Sequence, residues 1–344
     1  MKKTNKFFAI IAVLALVLIV CVSFVACNNK EDVGTVKKVS VRYVADGAAA
    51  ATLLSGGQVD FIVVGEPAAT AQTKRLSLNA EMNIQTEYSK VSGATSFPQA
   101  GIFVKSALAS DEAFMKSLFE ELAANKEWVA QNKASVTAEA KKVYESANFP
   151  AIAIDRCAIN GAKLTEESMR DIMLFLSNVM PKDSKGNSID WTTNKSKIFD
   201  IPTSTTENSK QIKFSAPEGT PALAMLTLAS NGKKIADYDV EYKVVNPANI
   251  ASEMATKASD VVIMPVNAGA NLIRQGADYK LVSIAVDGSL YVVGNTEKGG
   301  QISMDDLVGK NIACIGQTGV PGLVFRYIMP VSYTHLRAHE TEAD

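Results

Sequence analysis

"GGQVDFIVVGEPAAT", Gly56 to Thr70, contains the fold in miniature. An apolar run, Val59 to Val64 with one aspartate, stops at Gly65-Glu66-Pro67 and restarts as an alanine-rich helix. Isoleucine, valine and phenylalanine suit a pleated strand, and a nearly unbroken apolar run marks a strand buried on both faces, as in a parallel sheet. Proline near the first helical position sacrifices no hydrogen bond, so a helix can follow the strand almost at once. Four further segments share this grammar: "VSVRYVADGAAAATLLSGG" from Val39, "QIKFSAPEGTPALAMLTLASNG" from Gln211, "DVVIMPVNAGANLIRQG" from Asp260 and "KNIACIGQTGVPGLVFRYIM" from Lys310. Asp46, Thr220 and Asn267 are N-cap types, Pro67, Pro221 and Pro321 stand at or near helix starts, and Gly57, Gly232 and Gly276 follow as helix breakers.

Strand-loop-helix units of this length predict an α/β fold with mainly parallel sheets flanked by helices, because parallel neighbours need crossover connections. In such sheets the loops at the carboxyl ends of the strands form the ligand crevice, where helix N-termini present free N–H groups. "AAAATLLSGGQVDFIVVGEPAATA" and "ANIASEMATKASDVVIMPVNAGANLI" repeat one order of helix, turn, aspartate, strand, loop and helix, with Asp60 and Asp260 in equivalent places. Two sister lobes are expected, one copy in each.

From Ser110 the pattern changes to amphipathic helices: "SDEAFMKSLFEELAANKEWVAQN", "SVTAEAKKVYESA" and "TEESMRDIMLFLSNVM". Ser110 and Thr165 read as their caps, the latter with Ser168 where a capping box would place glutamate. Phe114, Leu118, Leu122 and Trp128 form a core stripe. Asp200 to Gln211, rich in Ser, Thr and Asn, reads as a linker.

The chain of 344 residues is 47% hydrophobic, and its 35 Lys and Arg nearly cancel its 36 Asp and Glu. That balance gives no basic field for nucleic acid. Residues 1–26 read as an export signal, "MKKTNK" followed by a long apolar run, and residues 27–38 as a tether. Ala26-Cys27 before "NNKED" resembles a lipobox, which implies diacylation of Cys27 and anchoring at the outer face of a bacterial cytoplasmic membrane; Cys21 fits less well. An uncleaved transmembrane anchor is the competing reading. Cys157 and Cys314 read as packing residues, with a disulfide as the alternative.

Taken together, the lipobox, "SGGQVDFIVVGEPAA", "APEGTPALAMLTLA" and "MDDLVGKNIACIGQTGVPGLVFRYIM" resemble the solute-binding proteins of ABC importers of the nitrate/sulfonate/taurine type, with the periplasmic-binding-protein type II fold. The resemblance spans most of Lys38 to Met329. It implies two α/β lobes joined by a hinge, a small polar solute held between them as in a flytrap, delivery to an ABC permease and its ATPase, no cofactor, and a monomer. In that family "APEGTPALAML" opens the mature protein and "VRYVADG…GEPAAT" comes late; here the later half comes first. The chain therefore reads as circularly permuted: 39–199 a second-lobe half with closing helices, 200–211 the join, 212–303 a first-lobe half, and 304–330 the start of the second lobe. A rearranged reading frame is the alternative, and residues 331–344, "VSYTHLRAHETEAD", resemble translated sequencing adaptor and are expected to be non-native. Both histidines, His335 and His339, lie there.

Ser215, Gly219, Thr220, Asn267, Gln317, Thr318 and Gly319 are the expected ligand-binding residues, since hydroxyl, amide and backbone N–H groups suit a small polar solute. Asp46, Glu66 and Glu218 either cap helices or face the ligand. No Lys or Arg lies within these strand-end loops. The sequence has no H-E-x-x-H, no G-x-S-x-G and no P-loop, so an enzyme is not expected. A tethered solute sensor is the rival with the same binding chemistry.

Overall fold

The computed structural model describes residues 38–203 and 210–329. The export signal, Cys27, nearly all of the tether, the middle of the linker and the tail 331–344 lie outside the described residues. Among the described residues no helix is long and apolar enough to cross a membrane.

Two sheets organise the chain. Lobe I contains β4 (Pro98–Lys105), β5 (Gln211–Pro217), β6 (Asp239–Val245), β7 (Val261–Pro265) and β8 (Tyr279–Asp287), in the spatial order β6-β5-β7-β4-β8. Lobe II contains β1 (Ser40–Val44), β2 (Phe61–Gly65), β3 (Ala80–Asn83), β9 (Leu290–Gly294), β10 (Gly300–Gln301) and β11 (Asn311–Ile315), in the order β1-β11-β2-β9-β3-β10. Each sheet has helices on both faces. The helix Glu112–Gln131 buries Phe114, Leu118 and Leu122 against one side of the lobe I sheet, while Ala50 and Ala69 from two helices cover one side of the lobe II sheet. Trp128 of the expected stripe packs only partly buried beside a satellite cluster around Phe149 and Cys157.

The sheets are mainly parallel, as expected, with one reversed strand in each. β9 is antiparallel to both β2 and β3, and β4 to both β7 and β8. These two strands are the ones the chain enters directly after crossing between lobes: β4 follows the Gly93–Phe97 segment and β9 follows Gly288-Ser289. A crossing made at the strands' carboxyl edge delivers the chain to that edge, so the next strand must run backwards. The crossings also move the lobe boundary. β4 and the helix Glu112–Gln131 belong to lobe I although they lie within 39–199, and β9 and β10 belong to lobe II although they precede 304.

The sister relation holds to the level of single bonds. Asp60 accepts from the Asn311 N–H at 2.8 Å, tying the start of β2 to that of β11; Asp260 accepts from the Lys213 N–H at 2.7 Å, tying β7 to β5. The reciprocal backbone bonds, Asp60 N–H to Asn311 O and Asp260 N–H to Lys213 O, also match. Under this correspondence β11 matches β5, β1 matches β6, β2 matches β7, β9 matches β4 and β3 matches β8. Lobe I runs β5, β6, β7, β8 continuously, whereas lobe II has β11 at one end of the described chain and β1 at the other. They still pair in parallel through five residues, Ser40 with Asn311 to Val44 with Ile315.

Several caps sit elsewhere than the sequence predicts. Asp46 caps Gly47–Ser55 through the Ala49 N–H, as expected, and Thr165 with Ser168 closes a reciprocal capping box. Asp111, not Ser110, caps Glu112–Gln131. Thr220 is the first residue of its short helix after Gly219, and Asn267 is the second residue of Val266–Arg274, so neither is spent on its own helix.

Candidate functional site

The carboxyl ends of β2, β5, β7 and β11 meet where the lobes touch. Thr220, nearly fully buried in lobe I, donates its hydroxyl to the Glu66 carbonyl of lobe II at 2.7 Å. Asn267 of lobe I donates its amide to the Thr318 carbonyl of lobe II at 3.1 Å, while its Oδ1 is buried without a partner. An amide oxygen left unpaired in a buried place carries a desolvation cost, so this acceptor is available to a donor group.

Glu66 answers the question posed by its position at the end of a strand. Its carboxylate accepts from the Thr70 N–H at 3.1 Å and the Thr70 hydroxyl at 2.9 Å, stabilising the first turn of Ala68–Arg75. It also meets a cation. The Arg156 guanidinium reaches from lobe I, its Nε 2.5 Å from Glu66 Oε1 without an aligned hydrogen bond. Its two terminal nitrogens engage the Glu81 carboxylate at 3.3 and 2.9 Å, and its Cζ lies 4.0 Å from the Tyr291 ring centroid. Two carboxylates and an aromatic face thus surround one planar cation. Burial pushes the Glu66 carboxyl above its ordinary range, against the opposing pull of Arg156 and Thr70. Burial acts likewise on Asp287, at the lobe crossing, opposed by the amide of Asn160 at 2.9 Å.

The strand-end loops contain no cation, as read, but the crevice does. Arg156 arrives on a short 3₁₀ turn, Asp155–Cys157, that also buries Cys157. Its partners lie 75 and 90 residues away in sequence, so no local motif announces it; Glu81 and Tyr291 were equally invisible, being single residues in ordinary strand patterns.

The remaining expected residues divide. Gly219 has φ +91°, a conformation that favours glycine, and its N–H points to the Tyr144 hydroxyl at 3.4 Å. Gln317 and Thr318 are exposed at the tip of β11, with Gly319 closing the turn by an N–H bond to the Gly316 carbonyl. Glu218 caps nothing; it accepts from the Ser146 hydroxyl at 3.2 Å and is exposed. Asp46 is an exposed helix cap two residues beyond the edge strand β1.

Ser215 is not brought to the crevice. Its hydroxyl lies 2.7 Å from that of Ser259, which donates to Glu253 at 2.8 Å, and Glu253 pairs with Lys243. Ser259 precedes β7, so the network lies toward the amino ends of the strands. Cys157 and Cys314 are both free and buried, as packing residues, and burial raises the Cys157 thiol to about 12.

A cavity of about 450 Å³ lies at the edge of the lobe II sheet, lined by Thr73, Asn79, Asn83 and Gly300 among others and, of the residues around Arg156, by Glu81 alone. A larger groove of about 870 Å³ lies away from the strand tips, between Glu112–Gln131 and the segment at Phe199 to Thr203. Among the described residues no group of three or more His, Cys, Asp or Glu is placed to hold a metal ion.

No family model and no curated protein matches the chain. Solved structures that it resembles include NikA from Brucella suis in complex with Fe(III)-EDTA, 9% identical over 72% of this chain and 55% of that one, with a TM-score of 0.32. Another is NikA from Staphylococcus aureus in complex with Ni(L-His)2, 12% identical over 73% and 56%, with a TM-score of 0.30. The chain spans little more than half the length of these structures. Likeness this slight does not identify what the chain binds, and the nitrate/sulfonate/taurine type finds no match among them.

Proposed function

We propose that this chain is an extracytoplasmic solute-binding lipoprotein that captures a small polar solute between its two lobes and delivers it to an ABC importer permease. The observation that carries the reading is the meeting of the strand tips: two sister sheets aim their carboxyl ends at each other, and the facing residues Thr220, Asn267, Glu66 and Thr318 join the lobes through bonds that a rigid rotation could break. Two adjacent chain crossings provide the pivot. Ser289 donates its N–H to Gln99 Oε1 at 2.9 Å, linking the start of one crossing strand to that of the other. Hinge closure on a solute then follows from ordinary linkage, since a ligand touching both lobes favours the closed form.

Cys27 is the proposed site of diacylation, and Gly219, Thr220, Asn267, Gln317, Thr318 and Gly319 are the proposed solute contacts, with Glu66. No group in the crevice is assigned a catalytic role.

Isothermal titration of the purified chain against a panel of small cations, zwitterions, anions and neutral polar metabolites tests the reading. Binding of one panel member, weakened at least tenfold by Asn267→Ala, is expected. A folded protein that binds none of them would exclude it.

A further inference from the structure

The arrangement around Arg156 defines what kind of solute this crevice accepts, and the inference rests on the solute-binding reading above. We propose that Glu66, Glu81 and Tyr291 of lobe II form a receptor for a planar cationic group, guanidinium or amidinium, and that Arg156 of lobe I occupies it as an intramolecular competitor.

The three lobe II groups supply what such a cation needs. Glu81 grips the guanidinium edge with both oxygens, Tyr291 covers its face, and Glu66 provides a second negative charge. The Glu66 side chain is fully buried, whereas Glu81 is 42% exposed. The cluster therefore has a closed back and an open front. Glu81 also lines a cavity of about 450 Å³ at the edge of the lobe II sheet, within the range of small-molecule sites.

Charge settles the sign of the solute. Glu66 and Glu81 bring two negative charges against the single positive charge of Arg156, so an anion entering here would meet a carboxylate wherever it met the guanidinium. An external guanidinium meets two carboxylates and an aromatic ring. Arg156 is also imperfectly seated: its Nε is buried and close to Glu66, yet makes no aligned hydrogen bond. A competitor with one donor misdirected can be displaced by a free cation whose donors are unconstrained by a backbone. Its retreat would leave Arg156, on a short 3₁₀ turn of lobe I, to move with its own lobe.

The test compares methylguanidinium and agmatine with methylurea, which is planar and nearly the same shape but uncharged. Titrations use the full chain, wild type and the variants Arg156→Met and Glu81→Gln, each checked for folding by circular dichroism and thermal melting. Glu81 is partly exposed, so its amide replacement keeps the fold testable if the Arg156 variant melts early. Arg156→Met is expected to bind methylguanidinium and agmatine at least tenfold more tightly than wild type, with methylurea at least tenfold weaker than methylguanidinium. Glu81→Gln is expected to lose at least tenfold for both cations. Equal binding of methylurea and methylguanidinium, or no cation binding by folded Arg156→Met, overturns the proposal. Taurine and nitrate form the remaining arm. If wild type binds either and Arg156→Met does not, Arg156 is an anion ligand, the cation receptor is excluded and the solute-binding reading stands; if no probe of any class binds, both fall.

Discussion

A carboxylate at the end of a strand is open to two readings until its neighbours are known, and Glu66 fulfils the capping reading and more. Because burial raises its pKa from the ordinary value of 4.5, the folded chain holds this proton to higher pH than the unfolded chain does. The stabilisation linked to that proton is fully present below the unfolded value and is lost as the pH rises through the raised folded value. Glu66→Gln removes the titration and leaves the same volume. Urea unfolding from pH 4 upward is therefore expected to show wild type losing stability relative to Glu66→Gln as the pH climbs above 4.5; a constant difference would mean that burial does not dominate at this carboxyl. Asp287 shifts in the same direction but is common to both proteins and cancels. Single residues also mark how far the sequence could be read. Asp46 is a cap because capping is a contact within three residues. Ser215, expected at the ligand, turns instead toward Ser259 and Glu253, and Arg156, which no motif singles out, turns toward Glu66; neither choice leaves a trace in local composition.

Among the elements, most strands and helices were legible, and the reversal of β4 and β9 was not. Apolar runs ended by glycine or proline identify β2, β5, β7 and β11, most of whose residues are buried, whereas β1, at the sheet edge, buries only Val41. The same pattern says nothing about orientation. β4 and β9 are reversed because of where the chain crosses between lobes, a property of topology rather than of any residue. The aspartate repeat was the informative signal at this scale. Asp60 and Asp260 make the same bond in each lobe, but their surroundings differ: Lys105 sits 2.6 Å from Asp260 in a partly buried pair, whereas Lys310 stands 3.9 Å from Asp60. Asp60→Ala is expected to cost about 1 kcal/mol, for one hydrogen bond to a strand end. Asp260→Ala should cost about 2 kcal/mol, since it also strands a half-covered lysine. Urea denaturation of the two variants at low ionic strength checks the order, and equal losses would mean that the lysine pair contributes nothing.

For the whole molecule, the expected permutation is a statement about which ends are neighbours. In lobe I the helices between β5 and β6 return the chain from one strand tip to the start of the parallel strand beside it. In lobe II, β11 and the helix Val320–Ile328 complete the same outward path, and β1 begins where the return would lead. A chain in which residues 210–329 come first, joined by a short Gly/Ser bridge to residues 38–203, keeps every described strand pair and exchanges one loop closure for another. Loop closure changes by only about 0.6 kcal/mol per doubling of length. The rearranged protein is therefore expected to show the far-ultraviolet dichroism of the original and to melt within about 4 °C of it, as for a change near 1 kcal/mol in a protein of this size. Failure to fold would mean that β11 and β1 depend on the existing chain order for their pairing, and the sister-lobe correspondence would lose its topological half. Success would show that the fold is set by which strands fit beside one another, with the order of the halves free to vary.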